Sequence, residues 1–213
     1  MGIKNIIFDL DGTIADTLPL CIAAFKKSIE PLLGTIITAE EIIATFGPSE
    51  EGTIRQLIPD REAEGVNTYL KFYKELHHIC AEPFPGIREL LELLISKGVK
   101  LAMVTGKGIH STGISLQQFG FTEYFEILET GSPEGPNKIK GIRNVLIRLN
   151  ASADNSIYIG DAPSDIIACK EVGIPIVAAA WASTANASEL KLLNPDWMFY
   201  TIDELKNWVT GSI

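Results

Sequence analysis

The sequence predicts an α/β protein, a doubly wound parallel sheet core interrupted by an inserted all-helical segment. Three observations predict it. From about residue 83 to the end, apolar runs of strand length alternate with amphipathic helical patterns, the signature of a parallel sheet with crossover helices. From about 17 to 80 only helical spacing is found. Between the two lies Glu82-Pro83-Phe84-Pro85-Gly86, a turn-rich break.

The elements follow in order. Ile3 to Phe8 is an apolar first strand that ends in Asp9, Asp11 and Gly12. Leu18, Ile22, Phe25 and Ile29 recur at helical spacing up to Pro31, where a helix is expected to stop. Thr38-Ala39-Glu40-Glu41 reads as a capping box opening a short helix, stopped at Gly47-Pro48. A third helix holds Ile54, Leu57 and Ile58, and a longer one is expected over about 60–78. After the break, Ile87, Leu90, Leu91, Leu94 and Ile95 mark a helix ended by Gly98. Strands are then expected at about 99–105, 125–128, 156–160, 174–179 and 197–200. Helices lie between them, and Thr201-x-x-Glu204 caps a last one. The expected domains are therefore a core of 1–16 and 83–213 and a helical cap of 17–82. Right-handed crossovers place the C-terminal ends of the strands along one edge. The cap leaves from that edge, directly after the first strand.

Composition bounds the function. The chain has 213 residues, 46% hydrophobic and 21% charged, ordinary for a folded enzyme. A net charge of −9 disfavours nucleic acid and anionic membranes as partners, but not a small anionic substrate. No run reaches transmembrane length. Cys21, Cys80 and Cys169 stand singly and read as small buried apolar residues in a reducing cytoplasm. A monomer or a homodimer is expected.

The chemistry begins at Asp9-Leu10-Asp11-Gly12-Thr13. If the strand stays extended through Asp11, both carboxylates share a face and enter one crevice at the edge where α/β sheets bind ligands. An aspartate is ionised at neutral pH and can attack without a base, while its neighbour holds a proton for the leaving group. A pair of solvated strand-end acids fits the same five residues. Val104-Thr105-Gly106-Lys107 ends the second core strand, where the Thr105 hydroxyl and the Gly106 backbone can meet phosphate oxygens, or simply make a turn. Lys138 and Lys140 open a helix, an end where lysine is electrostatically disfavoured, which hints at an anionic partner. Gly160-Asp161-Ala162-Pro163-Ser164-Asp165 delivers Asp161 to the same edge as Asp9, with Asp165 in the first turn of the next helix. His77 and His78 read as cap-surface residues, since adjacent histidines on a helix point apart. His110 reads as helix surface, and Trp181 and Trp208 as packing.

The string Asp9-Leu10-Asp11-Gly12-Thr13 with Asp16 resembles the first motif of the haloacid dehalogenase superfamily of phosphohydrolases. Thr105 matches the second motif in position, Lys138 or Lys140 the lysine that follows it, and Gly-Asp-x-x-x-Asp at 160–165 the fourth. The resemblance covers nearly the whole chain and implies a Rossmann-like core. Its helical insert looks like the cap of the phosphoglycolate phosphatase-like branch, and Phe46-Gly47-Pro48-Ser49 is similar to cap sequences in phosphoglycolate phosphatases and pyrophosphatases. It implies a Mg²⁺-dependent phosphatase acting on a small phosphorylated metabolite. Asp9 would be the nucleophile and Asp11 the general acid and base. Thr105, Gly106 and Lys138 would bind the phosphoryl group. Mg²⁺ would be held by Asp9, the Asp11 carbonyl and Asp161, with Asp165 behind them. In the cap, Arg55 is the candidate to pair with a carboxylate or second phosphate of the substrate. A phosphomutase could use the same residues; a dehalogenase would need neither Asp11 nor Mg²⁺, and a non-catalytic binding protein would not need every position filled.

Overall fold

In the computed structural model, which describes residues 2–213, six strands form one parallel sheet in the order β3-β2-β1-β4-β5-β6. The chain runs β1 (Asn5–Phe8), α1 (Leu18–Leu33), α2 (Ala39–Ile43), α3 (Glu50–Leu57), α4 (Glu62–Glu75) and α5 (Ile87–Ser96). It continues through β2 (Lys100–Val104), α6 (Ile109–Phe119), β3 (Ile127–Glu129), α7 (Lys138–Leu149), β4 (Ser156–Gly160) and α8 (Pro163–Val172). The last elements are β5 (Ile176–Ala179), α9 (Ala187–Leu192), β6 (Trp197–Phe199) and α10 (Ile202–Thr210). The strand order reverses at β1, between β2 and β4, so the switch point of this Rossmann-like sheet lies where Asp9 emerges.

Strand alternation divides the core between two faces. Ile6, Phe8, Leu101, Met103, Ile157 and Ile159 pack on one side with Leu90, Leu94, Leu116, Phe119, Leu205 and Val209, from α5, α6 and α10. Ile7, Ala102, Val104, Tyr158 and Ile176 pack on the other with Ile142, Val145, Ile166, Cys169 and Leu190, from α7, α8 and α9. Both faces are covered, which is why these strands read as continuous apolar runs rather than alternating ones. All three cysteines are free and buried. Among the described residues no helix is long and apolar enough to cross a membrane.

The helical segment α1–α4 hangs from the switch-point edge. Its apolar stripes meet in a cluster of Phe25, Ile29, Ile54, Tyr69 and Tyr73 that is continuous with the first face of the sheet. The rings of Phe25 and Tyr69 are 4.6 Å apart and those of Tyr69 and Tyr73 are 5.7 Å apart. The two connections between segment and sheet run side by side, and the Phe84 N–H donates to the Ile14 carbonyl at 2.9 Å.

Several expectations are corrected. Helix α1 does not stop at Pro31 but runs through it to Leu33, with Gly34 in the left-handed conformation as its cap. Pro31 deletes one helical N–H bond near the end of the helix, where the buried stripe of Phe25, Ser28 and Ile29 already holds the turn. The helix expected over 60–78 is α4 flanked by short 3-10 turns at Pro59–Arg61 and His77–Cys80. The capping boxes at Thr38–Glu41 and Thr201–Glu204 are formed as expected. His77 is not on the surface: it is 3% exposed, edge-on to Tyr73 and Phe119, with Nε2 at 3.0 Å from the Ser115 hydroxyl. Local spacing does not show this, because two of its three partners, Ser115 and Phe119, belong to α6, far along the chain. Its neighbour His78 is exposed, and so is His110.

Candidate active site

Strand β1 ends at Phe8, and the chain then curls back on itself. The N–H groups of Thr13, Ile14 and Ala15 all turn toward the Leu10 carbonyl, and the Gly12 N–H donates to Ala15. Gly12 makes this turn at φ +74°, and a Cβ there would collide with the Asp161 carboxylate, so glycine lets two acidic loops approach. The extension does not persist through Asp11. Asp9 and Asp11 take different hydrogen-bond partners, while the Asp11 charge still acts on Asp9.

Asp9 is 4% exposed. Its Oδ1 accepts the Leu10 N–H at 2.7 Å and its Oδ2 accepts Lys138 Nζ at 2.5 Å. Lys138 is the first residue of α7 and also donates to Asp165 Oδ1. Asp165 is wholly buried in the first turn of α8, where it takes the Ala162 N–H at 2.9 Å and the Tyr158 hydroxyl at 3.0 Å. Asp161 leaves the end of β4 and accepts the Thr13 hydroxyl at 3.1 Å. Oxygens of Asp9, Asp161 and Asp165 lie within 4.8 Å of one another.

The electrostatics of this group are set by burial. Desolvation, against the pull of Lys138, pushes Asp9 up to about 6. Desolvation, with Asp9 and Asp165 close by, pushes Asp161 up to about 8. Burial works against the Lys138 ammonium, but Asp165 and Asp9 outweigh it and hold the lysine charged. Three carboxyl groups, Asp9 and Asp165 buried and Asp161 half-buried, face one ammonium, a set short of positive charge. Hard oxygen donors with that shortfall suit a small divalent cation, and Mg²⁺ fits the donor set.

Asp11 faces the helical segment instead. Its Oδ1 accepts the hydroxyl of Thr17, just before α1, and lies 3.4 Å from Lys107 Nζ. Thr105 is buried at the end of β2, and its Oγ1 accepts the Lys107 N–H at 3.3 Å. Gly106 lies beneath Gly131, so close that a side chain on Gly131 would strike the Gly106 carbonyl. Lys140 is exposed and Lys138 is the lysine brought to the acids. Arg55 is not brought to them. Its guanidinium pairs with Glu62 at 3.1 Å and with Glu134 of the loop before α7 at 3.0 Å.

Three residues that belong to this neighbourhood, Lys107, Glu50 and Tyr158, carry no functional reading in the sequence. Lys107 directly follows the strand-end Thr105-Gly106, and a lysine there in an acidic protein was the available signal. Glu50 had none: it opens α3, and what it touches lies in α6. Tyr158 also reads as plain strand core, yet its hydroxyl reaches both Asp165 and the Val104 carbonyl.

The family model for haloacid dehalogenase-like hydrolases matches residues 6–179, which span β1 to β5 and the helical segment between them. The chain belongs to the haloacid dehalogenase-like hydrolase family. Among relatives of this hydrolase, the pyrophosphatase PpaX of Halalkalibacterium halodurans is 28% identical over 208 residues, covering 96% of each chain. A phosphoglycolate phosphatase of Neisseria meningitidis is 27% identical, covering 95% of this chain and 92% of its own. A haloacid dehalogenase-like family hydrolase from Streptococcus pneumoniae superposes with a TM-score of 0.77 at 27% identity, covering 97% and 98%.

Proposed function

We propose that this hydrolase is a Mg²⁺-dependent phosphatase of a small phosphorylated metabolite, working through an aspartyl phosphate on Asp9. The observation that carries the reading is the Asp9–Lys138–Asp165 triad beside Asp161, at the switch point of the sheet. The relatives named phosphatase and pyrophosphatase support the substrate class: a monoester such as phosphoglycolate, a nucleotide or pyrophosphate.

In this reading Asp9 attacks phosphorus in line. A bond forms from its carboxylate oxygen to phosphorus, and the bond to the leaving oxygen breaks with its electron pair. Asp11, held by Thr17 and Lys107, gives that oxygen a proton. Water then attacks the aspartyl phosphate, Asp11 takes the proton, and phosphate leaves with Asp9 restored. Lys138 and Thr105 spread the charge of the transferring group. Asp165 and Tyr158 fix the lysine in place. Asp9, Asp161 and the Asp11 carbonyl would hold Mg²⁺, with Asp165 behind them. When bound, the cation neutralises charge that otherwise repels an anionic substrate. Together these groups supply a reduction of the barrier on the order of 20 kcal/mol relative to uncatalysed monoester hydrolysis. Residues 17–82 act as a cap over the leaving group, excluding water during attack.

The test is a screen of phosphorylated metabolites for Mg²⁺-dependent release of inorganic phosphate. It is paired with beryllium fluoride, which mimics a phosphoryl group on an aspartate. Phosphate release with no beryllofluoride adduct at Asp9 would reject the covalent route. Phosphate moved between positions of a sugar, with none released, would make the chain a mutase.

A further inference from the structure

One buried carboxylate of the helical segment serves no purpose in the reaction as drawn. Glu50, the first residue of α3, is 8% exposed. Its carboxylate leaves its own helix and crosses to the core. There Oε2 accepts the Gly108 N–H and Oε1 accepts the Ser111 hydroxyl. Gly108 is the N-cap of α6 and has no side chain to cap the helix itself. Glu50 thus supplies from another part of the chain the anion that a helix start favours. Its Oε1 also lies 3.9 Å from Lys107 Nζ.

Lys107 is the other half of the arrangement. Its side chain is 2% exposed, and its ammonium lies over the Tyr73 ring at 4.7 Å and beside Cys21 Sγ at 3.1 Å. Tyr73 and Cys21 come from α4 and α1, so the helical segment encloses the lysine. The contact that emerges is with Asp11 at 3.4 Å. Around this point the two parts are pressed together. The Ser49 N–H donates to the Ser132 carbonyl at 2.9 Å, and a Cβ on Gly52 would collide with the Pro133 carbonyl.

We propose that Glu50 is a latch that couples closure of the helical segment to the placement of Asp11, with Lys107 as the positioning residue between them. The proposal rests on the phosphatase reading for what Asp11 does, and on the geometry alone for the latch. Lifting the segment would leave a carboxylate and a helix start without partners and take the walls from around Lys107. Open, these groups are hydrated; closed, Glu50 and Lys107 are desolvated, which is costly unless every partner is in place, so only the fully formed contact can close. Closure and the correct setting of Asp11 then become one event. The latch acts before attack and must release before product leaves.

The experiment compares the wild type with Glu50→Gln, which keeps shape, and with Ser111→Ala, which removes one hydrogen bond and keeps the charge. Two readouts are taken. Amide exchange by NMR should show the Gly108 N–H losing protection about tenfold or more in Glu50→Gln, with Ile7 and Ala102 in the sheet unchanged. Single-turnover kinetics with the best substrate from the screen should show both the formation and the hydrolysis of aspartyl phosphate slowed about tenfold, since Asp11 serves both steps, with Ser111→Ala between the two proteins. Unchanged protection at Gly108 would overturn the latch. So would unchanged rates of both steps, or slowing accompanied by lost protection at Ile7 and Ala102, which would mean general damage rather than closure. A wild type that releases no phosphate from any substrate would sink the phosphatase reading instead, and the exchange result would still decide the latch. If Glu50→Gln fails to fold, Ser111→Ala carries the same two readouts, with smaller expected changes in the same direction.

Discussion

At the edge of the sheet, Asp9, Asp161, Asp165 and Lys138 all come from the doubly wound core, each delivered by a strand end or the first turn of the helix after it. Across the seam with the helical segment, Asp11 and Lys107 of the core meet Thr17 and Glu50, which the inserted helices supply. The first group is placed by parallel strands in register, and none of its members belongs to the segment. The second exists only while the two parts touch. In the proposed reading, the attacking and cation-holding groups are built on the sheet, and the setting of the acid Asp11 is built across the join.

The comparison breaks first at Asp9. Asp9→Asn removes the attacking charge and keeps the shape, so turnover should fall by roughly three orders of magnitude or more with the fold intact. Circular dichroism beside the phosphate assay checks both halves, and turnover within tenfold of wild type would remove Asp9 as nucleophile. Exhaustive chelation comes next. Activity should vanish and return with Mg²⁺ but not with Ca²⁺, whose larger, looser shell misplaces the attacking oxygen. Full activity in the chelated protein would mean that the acids need no cation.

Lys138→Met should lower kcat on the order of a hundredfold with a smaller change in KM, since its charge acts on the developing phosphoryl charge. Lys140→Met should stay within about twofold, because Lys140 is exposed. The reverse result would move the phosphoryl clamp to Lys140.

A pH series on the metal-free protein sharpens the electrostatic side. Asp161 lies near 8 in the fold against an ordinary carboxyl value of 3.8, and Asp9 near 6. Between those limits the folded state binds more protons than the unfolded one, so stability must fall as pH rises from about 4 to about 8. Denaturant midpoints in chelator should show that fall, and Asp161→Asn should flatten its upper part. A metal-free midpoint that rises over the same range would contradict the shifts. The smallest effect is expected at Arg55. Its pairs with Glu62 and Glu134 are surface pairs, and Arg55→Ala should change turnover by less than about twofold on every substrate. A changed ranking of substrates would restore Arg55 to a role in selectivity.

The sequence made the strand-edge group legible because its residues sit at fixed offsets from strand ends. Asp9 follows an apolar run, Asp161 follows Gly160, and Asp165 falls in the first turn of a helix opened by Pro163. These are local patterns, and local patterns survive translation into one dimension. The seam left no such trace. Glu50 finds Gly108 and Ser111 fifty-eight and sixty-one positions away. Nothing in the composition of α3 marks one of its two leading glutamates as buried and the other as not. The same holds for His77, whose partner Ser115 is 38 positions on. Asp11 follows Asp9 by two positions, but its partners Thr17 and Lys107 lie on either side of the seam and no local pattern marks them.

The hydrogen bond from Phe84 to Ile14 has a consequence for how such a protein can be altered. The two connections that carry residues 17–82 leave the sheet next to each other, as at the base of a loop already closed. Whatever hangs from them adds little further cost in chain entropy, since that cost grows only as the logarithm of length. The attachment point therefore behaves as a socket. A different helical segment, longer or shorter, can be grafted between Ala15 and Phe84 with the register of β1 to β6 untouched. In the proposed reading the sheet would carry the same groups to a new leaving group, and the graft would have to bring its own counterparts of Thr17, of Glu50, and of Cys21 and Tyr73 around Lys107.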